Sequence, residues 1–460
     1  MIYSPSSALN SRDTWIFGRN GKFYLYTLAS SKGEKENWDC IGLALSDDLV
    51  HWKDHGIILK SSPDIDYMGS GHTWEVDDRF LMNFSECVNG IQTIYFAESS
   101  NLIDWERLGD EFSCRPDPKW YQVKKENLLP DPRWDRIWVL RREKAEGFIG
   151  FLTATAATGM KRGTAGCVVS EDGLTFRPVP PVSPPKLVKT LEVDAVERIG
   201  DFCYMLYNGF YFLISRDQEG PYELPDEENK LYEPSPYTHS GRFFRSGKKL
   251  LFNHHCVPRD EKVSTSLGTL KEVYEIEPGK IGLKYWTGND LLRGELIEMG
   301  TDQCSISSVH EFFTIEQHTP FRMDYYEIGK LCPTGLFIDV EIKLHSEEPN
   351  AAVGMYFGDM ATGTAVIAYT YGKIEFGQMQ NPSEKPPFEF DPDHEVPWKV
   401  REGITINMRV IVRGTFLELY MDDLFVQCYS MAEELKGGFG LVIEGGDAEL
   451  KKVTAYQMNL

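Results

Sequence analysis

"ALSDDLVHW", residues 44–52, returns as "AESSNLIDW" at 97–105, as "VVSEDGLTF" at 168–176 and, more loosely, as "LISRDQEGPYEL" at 213–224. Their serines, Ser46, Ser99, Ser170 and Ser215, stand 53, 71 and 45 residues apart. A four-stranded propeller blade repeats at roughly 40–50 residues and tolerates insertions, so the pattern reads as a series of blades. Each copy follows a strand-like run: "GKFYLYTL" (21–28), "DRFLMNFSE" (78–86), "GFIGFLTAT" (147–155) and "GDFCYMLYN" (200–208), with a fifth run, "GKKLLFNHH", at 247–255. Five such second strands predict five blades. One strand further back in each blade lies the run expected to line the central axis: "DTWIF" from 13, "GSGHTWEV" from 69, "RWDRIWVL" from 133, "LEVDAVERI" from 191 and "HSGRFF" from 239.

The rest of the chain fits an all-β reading. Aromatic residues make up 13% of the 460, beside 40 Gly and 25 Pro, which favours many short strands and turns over long helices. From about residue 300, "FIDVEIKL" (337–344), "AAVGMYFG" (351–358), "TAVIAYTY" (364–371), "TINMRVIVRGTFLELYMDDLFVQCYS" (405–430) and "GFGLVIEGG" (438–446) alternate apolar and polar residues between turns, as antiparallel sandwich strands do. The expected organisation is a five-bladed β-propeller over 1–275, a linker over 276–299 and a β-sandwich over 300–460. The linker is placed by the turn signals and weak periodicity of "KEVYEIEPGKIGLKYWTGNDLLRG" (271–294).

Charge and cysteine usage exclude several classes. A net charge of −22 would repel nucleic acid and anionic lipid. Nine scattered cysteines without a C-x-x-C pair argue against a disulfide framework and a zinc site, and read as mostly buried free thiols. No apolar run approaches the roughly 20 residues of a membrane span, and no secretory leader is visible, so a cytoplasmic location is expected. No cofactor or metal is called for, because the histidines near the axis (His72, His239, His254, His255) lack a fixed ligand spacing.

Inner strands of a propeller converge, so equivalent ends face one another although far apart in sequence. Those ends carry Asp13, Ser70 to His72, Asp135, Glu192 with Asp194, and His239 to Arg242. Gathering carboxylates at one axis costs repulsion, and paired carboxylates are what glycoside hydrolysis needs, one ionised and one holding a proton. In the third blade Asp117 and Asp131 are also available. The distance to the repeat serine favours Asp135, with Asp117 the alternative. Trp15, Trp74 and Trp134 beside the acids could offer sugar-stacking faces or serve as core. Arg133 and Arg242 could bind sugar hydroxyls or pair with the acids.

These residues resemble glycoside hydrolase family 32, the β-fructofuranosidase group of clan J. "YMGSGHTW" (67–74) is similar to the family's F-S-G-S stretch, "RWD" (133–135) stands where R-D-P is expected and "LEVDAVERIG" (191–200) where E-C-P is expected. "LNSRDTWIF" (9–17) keeps only the acid of W-M-N-D-P-N-G, and "VIVRGTFLELYMDDLFVQ" (410–427) is similar to the family's sandwich segment. The resemblance implies a propeller followed by a sandwich, and a retaining furanosidase acting on an oligosaccharide or small fructoside. It implies Asp13 as nucleophile, Asp135 as the group binding sugar hydroxyls at the transition state, and Glu192 as general acid/base. Ser70, His72, Asp194 and His239 join the tryptophans and arginines as expected substrate contacts. "DTWIFGRNGKFYLY" (13–26) also looks like the opening of family 43 arabinan and xylan hydrolases, which invert. A carbohydrate-binding propeller without catalysis is a further reading.

Overall fold

The repeat serine is a turn device. In the computed structural model, Ser46 Oγ accepts the N–H groups of Asp48 and Leu49, and Asp48 Oδ1 accepts those of Val50 and His51. Ser99 with Asn101 builds the same two nested turns, and Ser170 with Asp172 a close variant in which Ser170 Oγ accepts the Gly173 N–H and donates to Asp172 Oδ1. Such side-chain acceptors satisfy backbone donors that no strand can pair. They also allow a left-handed residue three positions after the serine: Leu49 (φ 71°), Leu102 (φ 67°) and Gly173 (φ 75°). In the looser fourth copy Ser215 and Asp217 start the turn, and the left-handed residue falls later, at Gly220 (φ 85°).

The structure describes all residues except 9, 32–37, 126–130, 160–161, 185–186, 227, 261–263, 302–303, 307–312, 316–322, 347–349, 360–362, 381–388, 399–402 and 435. They form two compact units, one of residues 2–257 with 264–286 and one of residues 287–460 with 258–263 and Met1.

The first unit is a five-bladed propeller of antiparallel meanders. Blade I runs Asn10–Arg19, Lys22–Ser30, Cys40–Ser46, Lys53–Lys60, and blade III runs Trp134–Arg141, Phe148–Thr155, Gly163–Ser170, Arg177–Val179. In blade II the inner strand is split into Tyr67–Met68 and His72–Val76, both paired with Arg79–Val88, and is followed by Ile91–Ser99 and Glu106–Arg107. Blade IV has Val193–Ile199, Phe202–Tyr207 and Tyr211–Ser215, with a bridge from Ile214 to Glu223. Blade V has Thr238–Ser246 and Lys249–Cys256, continued by Lys271–Glu277 and Lys280–Tyr285. The stretch 276–299, expected to be a linker, therefore opens inside blade V. Its "PG" at 278–279 is a hairpin turn with Gly279 at φ 92°, and its outward residues 275–277 are exposed, which blurs the apolar alternation.

Apolar layers fill the space between blades. Trp15, Tyr26, Leu28 and Trp38 of blade I pack on Met68, Met82 and Phe84 of blade II, and Trp74 and Phe96 of blade II pack on Trp134, Ile137 and Phe148 of blade III. All five inner strands share an irregularity: one extra residue between Arg12 and Trp15, Met68 and His72, Asp135 and Ile137, Val193 and Ala195, and His239 and Arg242. A bulge re-aims the side chains beside it, and here five bulges lie at one end of five strands.

The second unit holds two large antiparallel sheets beside a two-stranded pair, Met299–Thr301 with Cys304–Ile306. One is ordered Leu424–Ser430, Phe416–Met421, Thr405–Arg413, Leu336–His345, Asp447–Met458, Arg293–Leu296; the other Asp324–Lys330, Gly438–Glu444, Ala352–Gly358, Thr364–Tyr369, Lys373–Gln380, Glu389–Pro397. Their buried alternate positions, such as Ile338, Val340 and Ile342, give the sandwich its core. Among the described cysteines every thiol is free, and all but Cys332 are buried.

Candidate active site

Asp13 lies three residues inside its strand, in the blade I bulge, with φ 55°. Aspartate is among the few residues that tolerate this left-handed backbone. One carboxylate oxygen, Oδ1, accepts the hydroxyl of Ser240, which sits in the blade V bulge at φ 49°. The Asp13 N–H donates to His255 Nε2 at 3.1 Å. That bond makes His255 an acceptor at Nε2, and burial drives its pKa down to about 3, so the ring is neutral near pH 7. Burial would push the Asp13 carboxyl up, but Arg12, His239 and Arg136 outweigh it and hold Asp13 well below the usual carboxylate range. No described residue bonds Oδ2, and the side chain keeps 14% exposure, enough to present it to a ligand.

Arg133 joins the next two acids. Its Nη1 donates to Glu192 Oε1 at 2.8 Å and its Nη2 to Asp135 Oδ2 at 2.9 Å, while Nε is anchored on Gln92 Oε1 at 3.1 Å. Asp135 Oδ1 accepts the Ser85 hydroxyl at 2.6 Å. Burial opposes the Asp135 charge, and Arg133, Arg136 and Ser85 overcome it, lowering the group. Glu192 is bonded through Oε1 alone among the described residues, and its side chain is 30% exposed.

Below these groups two buried guanidiniums form a floor. Arg136 donates to Asp194 Oδ1 at 2.7 Å and to the Val193 carbonyl, and it lies close enough to Asp194, Asp13, Asp135 and Glu192 to be influenced by all four. Arg242 donates to Ser70 Oγ at 3.1 Å, and burial with the like charge of Arg136 pushes it down to about 9. Burial pushes Asp194 up against the pull of Arg136 and Arg242. Its second oxygen accepts the Gly209 N–H at 2.6 Å, so both oxygens are occupied by donors.

The axis thus brings Asp13, Asp135, Glu192 and Asp194 around Arg133 and Arg136. Asp117, the alternative in blade III, accepts the N–H of Lys119 in its own turn, and Asp131 pairs with Lys125. Several expected sugar contacts are instead structural. Trp15, Trp134 and Trp74 are buried between blades, and their indole N–H groups are bonded to Thr73 Oγ1, the Cys114 carbonyl and the Gly173 carbonyl. Ser70, Asp194 and Arg242 are also buried, and their bonded polar atoms face protein, so they shape the floor. His72 stacks on Trp138 at 4.3 Å and accepts the Val139 N–H, with burial bringing its pKa to about 3. Arg133, His72 and His239 keep partial exposure. Sequence reading does not single out Ser85, Gln92 or Arg136, and it meets Ser240 only within the stretch His239 to Arg242 and His255 only among the histidines near the axis. Arg136 and Ser240 carry a signal, their place beside the axial residues of their strands.

No family model matches the sequence, and no curated protein is similar to it. Among solved structures the chain is similar to the GH32 β-fructofuranosidase BmSUC1 of Bombyx mori (TM-score 0.69, 14% identity, 99% of this chain and 94% of that one). It is also similar to the sucrose-6-phosphate hydrolase of Lactobacillus gasseri (0.68, 12%, 99% and 93%) and to the fructofuranosidase of Schwanniomyces occidentalis complexed with fructose (0.68, 12%, 100% and 97%). The fold is that of the family 32 glycoside hydrolases. On this fold the acids of blades I, III and IV meet at the propeller axis.

Proposed function

We propose that the protein is a glycoside hydrolase cleaving a furanoside linkage, β-fructofuranosidase-like and retaining. The observation that carries the reading is the pair of carboxylates at the axis, each with one oxygen unbonded among the described residues. Asp13 is held ionised with Oδ2 unbonded, while Glu192 offers Oε2 from the neighbouring Arg133 fork. In the first step Asp13 Oδ2 would attack the anomeric carbon as the bond to the leaving oxygen breaks, and Glu192 would give that oxygen its proton. Glu192, now ionised, would take a proton from water as that water attacks the glycosyl–Asp13 ester, releasing the sugar with its configuration retained. Asp135, fixed by Ser85 and Arg133, would accept hydrogen bonds from ring hydroxyls. The complexes of Bombyx mori BmSUC1 with sucrose and of the Schwanniomyces occidentalis fructofuranosidase with fructosylnystose support a carbohydrate substrate for this site.

The test follows the anomer of the first product by NMR on small fructosides, fructans and arabinans. Retention is expected; inversion would move the protein to family-43-like chemistry, and binding without hydrolysis would make it a carbohydrate-binding propeller. Replacing Glu192 by Gln should slow substrates with poor leaving groups far more than an activated aryl glycoside, whereas Asp13→Asn should slow both by several orders of magnitude. Equal losses for Glu192→Gln on both substrates would remove Glu192 from the acid role.

A further inference from the structure

The arginines at the axis differ in one respect. Arg133 is engaged by Asp135 and Glu192, Arg136 by Asp194, and Arg242 by Ser70 and the Asp194 carbonyl. Arg12, the residue before Asp13, has no hydrogen bond or ion pair to its guanidinium among the described residues, and its Nε is buried without a partner. It is nonetheless held in place. Its guanidinium carbon lies 4.4 Å from the ring centroid of Trp38, which is itself anchored in the layer between blades I and II and fixed by the bond from the Met68 N–H to its carbonyl. Asp39, the acid next to Trp38, is occupied by the backbone and hydroxyl of Ser31. The side chain remains partly exposed.

A guanidinium stacked on an indole is fixed in orientation while its N–H edge stays open, the arrangement that suits bidentate capture of a carboxylate or phosphate. Its charge also reaches Asp13, whose carboxylate it favours. A purely electrostatic role would need no aromatic platform and no open edge. We infer that Arg12, stacked on Trp38, binds an anionic group, a phosphate ester or a carboxylate, carried by the sugar that faces Asp13. The substrate is then a charged furanoside, an assignment that rests on the glycosidase reading above.

The test uses the full-length Asp13→Asn variant, in which turnover is removed, and calorimetric titration with fructose, fructose 6-phosphate and methyl galactofuranosiduronate. At least one charged sugar should bind about 10-fold or more tightly than fructose, and which one does distinguishes phosphate from carboxylate. Adding Arg12→Gln should erase that preference and its salt sensitivity, with Arg12→Lys in between because the charge stays and the fork is lost. Equal affinity for charged and neutral sugars, or a preference that survives Arg12→Gln, would overturn the inference. If Arg12→Gln fails to fold, quenching of tryptophan fluorescence by inorganic phosphate in Asp13→Asn decides, and its absence counts against the site. Hydrolysis of neutral fructosides without preference would leave the glycosidase standing and remove the anion site. Phosphate binding in a protein that neither binds nor cleaves any furanoside would do the reverse.

Discussion

At Asp13 burial and charge compete, and charge wins. The ordinary aspartate pKa is about 3.9, and the folded-state value lies well below it. A group whose pKa is depressed on folding adds stability above its unfolded pKa and loses it as pH falls through the folded value. The carboxylate therefore stays ionised well below the pH at which an ordinary aspartate takes up its proton. The expected outcome is a kcat/KM profile that does not fall on the acid side as pH drops toward about 4, in contrast to an unperturbed aspartate nucleophile. Ser240→Ala removes a hydrogen bond to the ionised form, so the acid limb should move upward into the measurable range, with kcat reduced about 10-fold. An acid limb near pH 5 that Ser240→Ala leaves in place would show that some other group governs it.

The serine turns make a corresponding case for the blade edges. Slight burial would raise Asp172, but the N–H groups of Thr175 and Leu174 and the Ser170 hydroxyl bring it down to about 2. Its stabilising effect is complete above about pH 4 and is lost as pH falls toward 2. Asp172→Asn keeps an acceptor oxygen without the charge, so its thermal stability should be flatter between those limits. Ser46→Ala and Ser99→Ala, each removing a buried acceptor of two backbone N–H groups, should cost about 1–2 kcal/mol in urea unfolding. These turns are also why the blades could be read from sequence: each needs a serine, an Asp or Asn two places on and a left-handed position, and so leaves a fixed local signature. Blade V, with no such turn after Lys249–Cys256, carries no marker for its outer strands, so 276–299 reads as a linker. The site divided along the same line. Asp13, Asp135 and Glu192 were legible from their place in the repeat. Ser240, His255 and Ser85 act across from one blade to another, and the bulges that aim them leave no trace in apolar periodicity.

Across the whole propeller the question is how the ring closes, because the seam between blades V and I carries the nucleophile. Within the ring, Asn83 of blade II clasps the backbone N–H and C=O of Ile137 in blade III, and at the seam Asn253 of blade V donates to Thr14 of blade I. Asp13 adds its own bonds to Ser240 and His255. Outside this contact the segment before blade I acts as a strap. Ile2 and Tyr3 pair with Leu267 on the blade V side, and the N–H groups of Ser6 and Ser7 both donate to Asp54 Oδ2 in the outermost strand of blade I, at 2.7 and 2.8 Å. Partial burial opposes the Asp54 charge, but the Ser6 and Ser7 donors lower its pKa, so the strap should be complete above about pH 4 and loosen as pH falls below that. Asp54→Ala removes the shared acceptor and should cost about 1–2 kcal/mol. Because the strap and the Asp13 bonds span the same seam, the variant should also lower kcat/KM, whereas Ser99→Ala, in the turn of blade II, should lose stability with little change in kcat/KM. Hydrogen exchange at pH 7 provides the check: the amides of Ile2, Ser6, Ser7 and Asp13 should exchange faster together in Asp54→Ala. If Ser6 and Ser7 are exposed while the Asp13 amide stays as protected as in the unmodified protein, the strap holds only the amino-terminal segment and the seam is closed by Asn253 and the axial bonds alone.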